Sequence, residues 1–180
     1  SLHDALPILD GLHFYRTPAS TGALAKLPVL NQKEVIDGLA KRLAEIIPQI
    51  KPDVLHAHSP SLNAVAALRA GKRFGIPVVY EVRAFWEDAA VDHGTSSENG
   101  LRYRATRALE TWALRRADAV TTICEGLRRD IVARGIAADK VTVIPNAVDI
   151  DKFSVGGSAD LALKQTLGLG DARLIGFIGS

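Results

Sequence analysis

The sequence predicts an α/β protein built on a doubly wound, Rossmann-like parallel sheet. Short, mostly apolar, β-rich segments alternate along the chain with longer segments whose apolar residues recur at helical spacing. The stretch from Asp53 to Trp86 shows the pattern most clearly, as one strand, one helix and a second strand. Strands that alternate with helices form parallel sheets, because each helix returns the chain to the edge where the next strand begins.

Within this unit, the apolar run from Val54 to His58 has the length of a strand buried in a parallel sheet. Ser61 is expected to cap the following helix, and Gly75 is expected to end it. The β-rich run from Ile76 to Val82 then predicts the second strand.

The carboxyl ends of these two strands predict a binding edge. Crossovers between parallel strands are almost always right-handed and bring both strands out on the same side of the sheet. We therefore expect His58, Ser59 and Arg83 to lie side by side. This is the edge at which open α/β sheets bind ligands.

The segments before this unit are less regular. Residues 1–30 show no sustained period and are interpreted as a poorly defined segment, of which residues 1–8 resemble a translated sequencing-adapter remnant and are treated as partly foreign. An amphipathic helix is predicted from Asn31, with Glu34 as its capping-box partner, until Pro48 and Pro52 intervene.

The remaining segments continue the alternation. Residues 84–100 carry no periodic core signal and predict a long functional or mobile loop, in which Glu87 and Asp88 are expected to be solvated. The further predicted elements are a helix over 101–116 with an apolar stripe of Leu101, Ala105, Ala108, Leu109 and Trp112, a strand over 118–123, a helix over 126–134 and a strand over 141–144.

A change in composition predicts a domain boundary. Residues 31–153 are interpreted as one Rossmann-like domain, and residues 154–158 as a small-residue linker. A helix over 159–167 and a new strand over 174–178 follow. Because a strand needs neighbours for its backbone groups, we expect residues 154–180 to begin a second domain and the chain to be a fragment.

Composition limits the class of protein. The chain of 180 residues is 47% hydrophobic, 23% charged and has a net charge of +2, which is too small to predict a nucleic-acid partner. It has no apolar run of about 20 residues, the length needed to span a membrane. A single cysteine excludes an internal disulfide and fits a reducing compartment, so a cytoplasmic protein is predicted.

Four segments resemble, in order, the N-terminal domain of family 4 retaining glycosyltransferases, which have the GT-B fold. They are Asp53-Val-Leu-His-Ala-His58, Val79-Tyr-Glu-Val-Arg83, Ala117-Asp-Ala-Val-Thr-Thr-Ile123 and Val141-Thr-Val-Ile-Pro-Asn-Ala-Val-Asp149. The segment from Tyr80 to Asp88 looks more specifically like bacterial enzymes associated with exosortase and exopolysaccharide loci.

This resemblance implies a transferase that moves a sugar from a nucleotide-sugar donor, with no further cofactor, to a glycan or lipid-linked acceptor. The domain represented here mainly shapes the acceptor side in that family, and we expect it to have little activity alone. Three features depart from the family pattern. The glycine-rich loop after the first strand is not visible, and Arg83 stands where relatives often carry His. The family's Glu, seven residues, Glu motif is expected to lie beyond Ser180, so no catalytic residue is nominated.

The resemblance and the predicted binding edge together identify six candidate substrate-binding residues: His58, Ser59, Arg83, Arg107, Glu110 and Asn146. Two interpretations of Arg83 stay open: a contact with a diphosphate or acidic acceptor, and an ion pair with Glu81 or Glu87. Arg107 either faces the cleft, as the resemblance implies, or forms a surface pair with Glu110. The other arginines of the 101–116 helix either contact an anionic membrane surface or serve solubility.

No metal site is predicted. The rings of His56 and His58 are expected to diverge on opposite faces of their strand, and His56 is interpreted as structural. Two other functions stay open beside the transferase. They are a GT-B sugar-nucleotide epimerase, which product analysis with donor alone would distinguish, and a non-catalytic Rossmann-like binding module.

Overall fold

The structure is a computed structural model that describes residues 8–9, 12–17, 28–92, 94, 97–152, 160–170 and 172–175. The chain divides into two compact units, Ser1–Asn146 and Ala147–Ser180, and each is described by itself. In chain order the described strands and helices are β1 (Ile8–Leu9), β2 (Leu12–His13), α1 (Pro28–Ile50), β3 (Leu55–His58), α2 (Ser61–Phe74), β4 (Val78–Val82), α3 (Trp86–Asp92), α4 (Leu101–Arg116), β5 (Ala119–Thr122), α5 (Glu125–Ala133), β6 (Val141–Val143) and α6 (Leu161–Thr166).

The larger unit confirms the predicted α/β fold with a parallel sheet. Its four-stranded sheet has the order β3-β4-β5-β6, and all three strand pairs are parallel. Helices α2, α4 and α5 connect these strands, with α3 preceding α4 in the second connection. The two short strands β1 and β2 form a separate antiparallel hairpin.

One face of the sheet packs against helices, and we call it the covered face. Register places Ala57, Tyr80, Val120 and Val141 across this face from β3 to β6, and all four are buried. The helices contribute Ala64 and Ala67 of α2, Ala113 and Leu114 of α4, and Ile131 of α5 to the same core. Apolar burial on this face is therefore the main stabilisation of the unit.

The opposite face, which we call the open face, carries mostly polar side chains. Its residues are His56, His58, Val79, Glu81, Ala119, Thr121 and Thr142, and each of them is half-buried or exposed. Alternation along each strand thus separates an apolar face from a face that retains access to solvent.

Several predicted helix boundaries were wrong. Helix α1 begins at Pro28, so Asn31 lies inside the helix, and it continues through Pro48 to Ile50. Proline is tolerated there because it removes only one backbone donor, in the last turn.

Helix α2 begins at Ser61 itself, with Pro60 at the N-cap position, so Ser61 does not cap it. The predicted end is confirmed, since Gly75 takes the left-handed conformation, with a φ of 69°.

The segment over 84–100 was wrongly predicted to lack regular structure, because it contains the seven-residue helix α3. So short a helix shows too few apolar repeats to be recognised. The predicted stripe of α4 was also wrong, because Leu101 is 86% exposed whereas Tyr103, Glu110, Ala113 and Leu114 are buried. The buried side of α4 includes the polar residue Glu110, and a prediction based on hydrophobic periodicity assigns only apolar residues to the buried side.

The smaller unit has little regular structure among its described residues. Asp160 caps α6 by accepting a hydrogen bond from the Leu163 amide, at 2.9 Å. Residues 172–175 form no strand, so the described part of the strand predicted over 174–178 was wrong, and 176–178 lie outside the described residues. The predicted linker over 154–158 also lies outside them.

Among the helices in the described ranges, none is both long enough and apolar enough to cross a bilayer.

Candidate functional site

The carboxyl ends of β3 and β4 form the rim that the sequence predicts. The parallel register pairs His58 with Glu81, so the two strands end at nearly the same level. The Ser59 amide donates a hydrogen bond to the Glu81 carbonyl at 2.8 Å, which extends the ladder past β3. The Arg83 amide donates to the Ser59 hydroxyl at 3.2 Å. Backbone pairing therefore brings His58, Ser59 and Arg83 together.

Glu81 is the centre of the polar cluster on this rim. One carboxylate oxygen, Oε2, lies 3.1 Å from Nε2 of His56 and 3.5 Å from Nδ1 of His58. The other oxygen, Oε1, lies 3.3 Å from Nε of Arg83. We call His56, His58, Glu81 and Arg83 the rim cluster. The ion pair between Arg83 and Glu81, one of the two interpretations left open by the sequence, is therefore present.

Asn146 joins the rim cluster from the segment after β6. An Arg83 guanidinium nitrogen, Nη2, donates a hydrogen bond to the Asn146 side-chain oxygen at 2.8 Å. The guanidinium is thereby held between a carboxylate and an amide, while the Arg83 side chain remains 52% exposed. Four of the six nominated residues, His58, Ser59, Arg83 and Asn146, thus lie at one edge of the sheet.

Glu110 lies elsewhere, in the core, and is not the surface partner of Arg107 that the sequence suggested. Its side chain is fully buried, and it accepts a hydrogen bond of 2.6 Å from the Tyr80 hydroxyl. Burial raises the pKa of the Glu110 carboxyl, and the Tyr80 hydrogen bond opposes that rise. Burial and the nearby Glu110 raise the pKa of Tyr80 as well, so this hydroxyl stays protonated and remains a donor. Spacing along a helix identified neighbours but could not show which of them faces the sheet.

Arg107 lies on the exposed side of α4, beside the hydroxyl of Tyr103. That hydroxyl donates to the Asp88 carboxylate at 2.8 Å, and this hydrogen bond is the main cause of the raised pKa of Tyr103. The surface around it is an open depression of about 1090 Å³, whose lining includes Arg104, Arg107, Arg115 and Arg116. Arg107 is therefore part of a cationic surface on α4 and is not a member of the rim cluster.

Sequence reasoning missed two features of the site. Glu87 was expected to be solvated, yet its side chain is fully buried and its Oε1 lies 2.6 Å from Nη1 of Arg134. The rings of His56 and His58 were expected to diverge, yet they stack with their centroids 4.6 Å apart. Residues two apart on a strand share a face, so the prediction that these two rings diverge was wrong.

A comparison with known families identifies the family of this chain. A family model described as "Glycosyl transferase 4-like domain" matches residues 5–147, which is well over half of the chain. The chain belongs to this family. The four-stranded parallel sheet and its polar rim lie within the matched region.

Two curated relatives of this glycosyltransferase-like chain have related names. The 2-deoxystreptamine glucosyltransferase of Streptomyces kanamyceticus is 32% identical over 113 residues, covering 61% of this chain and 29% of that protein. WcaI of Escherichia coli K12, named for glycosyl transfer in colanic acid biosynthesis, is 28% identical over 129 residues, covering 69% of this chain and 32% of that protein. The chain spans about a third or less of the length of these relatives.

Two solved structures also resemble the chain. Anabaena HepE, in complex with UDP and glucose, matches with a TM-score of 0.48 and 21% identity over 84% of this chain and 35% of that one. The UDP-N-acetylglucosamine 2-epimerase of Rickettsia bellii matches with a TM-score of 0.45 and 17% identity over 69% of this chain and 28% of that one.

Proposed function

We propose that this chain forms the acceptor side of a retaining GT-B glycosyltransferase acting in bacterial polysaccharide synthesis. The enzyme would move a sugar from a nucleotide-sugar donor to a glycan or lipid-linked acceptor. The observation that carries the proposal is the convergence of His58, Ser59, Arg83 and Asn146 at the carboxyl edge of a parallel sheet. This edge is where open α/β sheets bind their ligands. Family membership supports glycosyl transfer, and the name of WcaI supports a polysaccharide product.

In this proposal, each rim residue has a distinct part. The exposed guanidinium of Arg83, held by Glu81 and Asn146, binds a phosphate or carboxylate of the substrate with charge-assisted hydrogen bonds. His58, whose side chain is also about half exposed, hydrogen-bonds a hydroxyl of the acceptor. Ser59 and Asn146 fix the position of Arg83. Catalysis follows from positioning and from electrostatic stabilisation of the leaving diphosphate.

The cationic surface of α4 extends this proposal toward the acceptor. Arg107 would contact an anionic group of the acceptor, and the neighbouring arginines would attract an anionic membrane surface that carries a lipid-linked acceptor. The protein would then work in the cytoplasm at the inner face of the cell membrane. Glu110 has no part in binding, because it is fully buried.

We also propose that residues 31–153 form the acceptor-side domain and that residues 154–180 begin a donor-binding domain. The chain spans only 29% and 32% of its two curated relatives. Most donor contacts in a two-domain enzyme come from the other domain, so the chain by itself should transfer sugar poorly.

The test measures transfer by a full-length protein that contains this chain, with a panel of nucleotide sugars. Arg83→Ala and Arg107→Ala should each lower kcat/KM by about 10-fold to 100-fold, because each removes a charge-assisted contact of roughly 1.5–3 kcal/mol. Arg129→Ala, which alters an exposed arginine of α5, serves as the matched control and should leave kcat/KM unchanged.

Circular dichroism should show that each variant keeps the fold of the parent. Unchanged rates in a folded Arg83→Ala variant would overturn the role of the rim. If the protein instead converts the donor alone into a product with one inverted sugar centre, the epimerase function would take the place of the transferase function.

A further inference from the structure

The rim cluster contains the donor set of a transition-metal site. His56 and His58 lie on the same face of β3, and Glu81 stands opposite His58 on β4. One potential ligand atom from each of the three side chains lies within 4.8 Å of the other two. Among the described residues, these three form the one group of His, Cys, Asp or Glu side chains with such spacing.

The spacing of these atoms fits a small divalent ion. Zinc binds histidine nitrogen and carboxylate oxygen at about 2.0–2.2 Å, so ligand atoms at tetrahedral angles lie about 3.3 Å apart. The Glu81 oxygen is already 3.1 Å from His56 Nε2 and 3.5 Å from His58 Nδ1. The separation between the two imidazole nitrogens can close by ring rotation, because both rings are about half exposed.

The surroundings of the three side chains favour binding as well. Arg83 holds the second oxygen of Glu81, and such outer contacts fix the orientation of metal ligands.

We propose that His56, His58 and Glu81 bind one divalent transition-metal ion of the zinc class. Two imidazoles and one carboxylate suit zinc, iron or nickel, whereas magnesium and calcium prefer oxygen ligands throughout. Three protein ligands leave a position open for water or substrate. This inference does not rest on the proposed function, because metal binding is measured without donor or acceptor.

The experiment titrates the purified, metal-free chain with Co²⁺ and Zn²⁺ alone. We expect saturable binding of one ion. Bound Co²⁺ should absorb visible light, and this absorption should disappear when Zn²⁺ displaces the cobalt. His56→Ala, His58→Ala and Glu81→Gln should each weaken Zn²⁺ binding by more than about tenfold. His13→Ala, which removes an exposed histidine outside the cluster, and Cys124→Ser, which removes the exposed thiol, should leave the affinity unchanged.

Glu81→Gln keeps the size of the side chain, so it separates loss of a ligand from loss of the fold. Circular dichroism of each variant completes that control. No saturable binding at millimolar Co²⁺, or equal affinity in the parent and the His56→Ala/His58→Ala double variant, would overturn the proposal.

Discussion

Two Glu–Arg pairs in the larger unit have the same chemistry and opposite surroundings. Glu87 and Arg134 lie 2.6 Å apart with side chains that are 0% and 3% exposed. Glu81 and Arg83 lie 3.3 Å apart with side chains that are 17% and 52% exposed. The Glu87–Arg134 pair is buried, whereas the Glu81–Arg83 pair lies on the open face. Burial decides what each pair can do.

The buried pair has a structural role. Glu87 belongs to α3, and Arg134 follows α5 and lies over the Phe85 ring, with its guanidinium carbon 3.4 Å from the ring centroid. Each buried charge depends on its partner, because water does not solvate it. The pair therefore fastens α3, which begins three residues after Arg83, to the core.

The exposed pair is available for ligands. Water solvates the Arg83 guanidinium, whose side chain is 52% exposed, so an ion pair there adds little to stability. A substrate phosphate or a metal ion can replace water around these side chains at low cost. The two pairs therefore differ in access: the Arg83 guanidinium is within reach of solvent, whereas Glu87 and Arg134 are not.

Breaking the buried pair should give the largest effect. Glu87→Ala or Arg134→Ala should lower the free energy of unfolding by about 3–5 kcal/mol, because each leaves one buried charge unpaired. Urea denaturation followed by circular dichroism measures this loss. Arg83→Ala, the matched change in the exposed pair, should cost less than about 1 kcal/mol. Equal losses for the two pairs would contradict the comparison.

Truncating an apolar side chain that packs under the covered face should have the next largest effect on the free energy of unfolding. Ile131 is fully buried, and Ile131→Ala should lower the free energy of unfolding by about 2–5 kcal/mol through lost burial and a cavity. Ile144, just after β6, is 58% exposed, and Ile144→Ala should cost less than about 1 kcal/mol. Denaturant midpoints compare the two isoleucines directly. Similar losses would show that the covered face is not the main core.

Glu110 gives a pH-dependent effect of intermediate size. Its pKa in the folded state is raised above the ordinary value of 4.5, so between 4.5 and the folded pKa the folded state binds more protons than the unfolded state. The stability that Glu110 contributes is complete below 4.5 and is lost as the pH rises through the folded pKa. Glu110→Gln keeps an acceptor for the Tyr80 hydroxyl but does not titrate.

Glu110→Gln should therefore gain stability relative to the parent as the pH rises from 4.5, and the difference should level off above the folded pKa. Thermal melts of both proteins across this range measure the difference. A difference that stays constant with pH would show that Glu110 is not desolvated.

The smallest effect is expected on the open face. Thr142 is exposed on β6, and Thr142→Ala should change the free energy of unfolding by no more than about 0.5 kcal/mol. A loss of several kcal/mol in urea denaturation would mean that this face is packed in solution.

The main strands and five of the helices could be predicted from sequence because their signals are local. The apolar runs at 55–58, 78–82 and 119–122 are short and β-rich. Gly75 marks a helix end because glycine readily takes the left-handed conformation. Helix α3 and the buried side of α4 could not be predicted, because their polar residues are buried against partners remote in sequence. Glu110 is paired with Tyr80, 30 residues away, and Glu87 with Arg134.

The sequence by itself determined the alternation of β3 to β6 with α2, α4 and α5 and the edge at which His58, Ser59 and Arg83 emerge, because parallel strands joined by right-handed crossovers leave little choice. Tertiary structure alone decided which charges are buried and which remain accessible. It placed Glu87 and Glu110 in the core and Glu81 between two histidines and an arginine. Desolvation depends on neighbours from every packed element, and a sequence pattern records only neighbours along the chain.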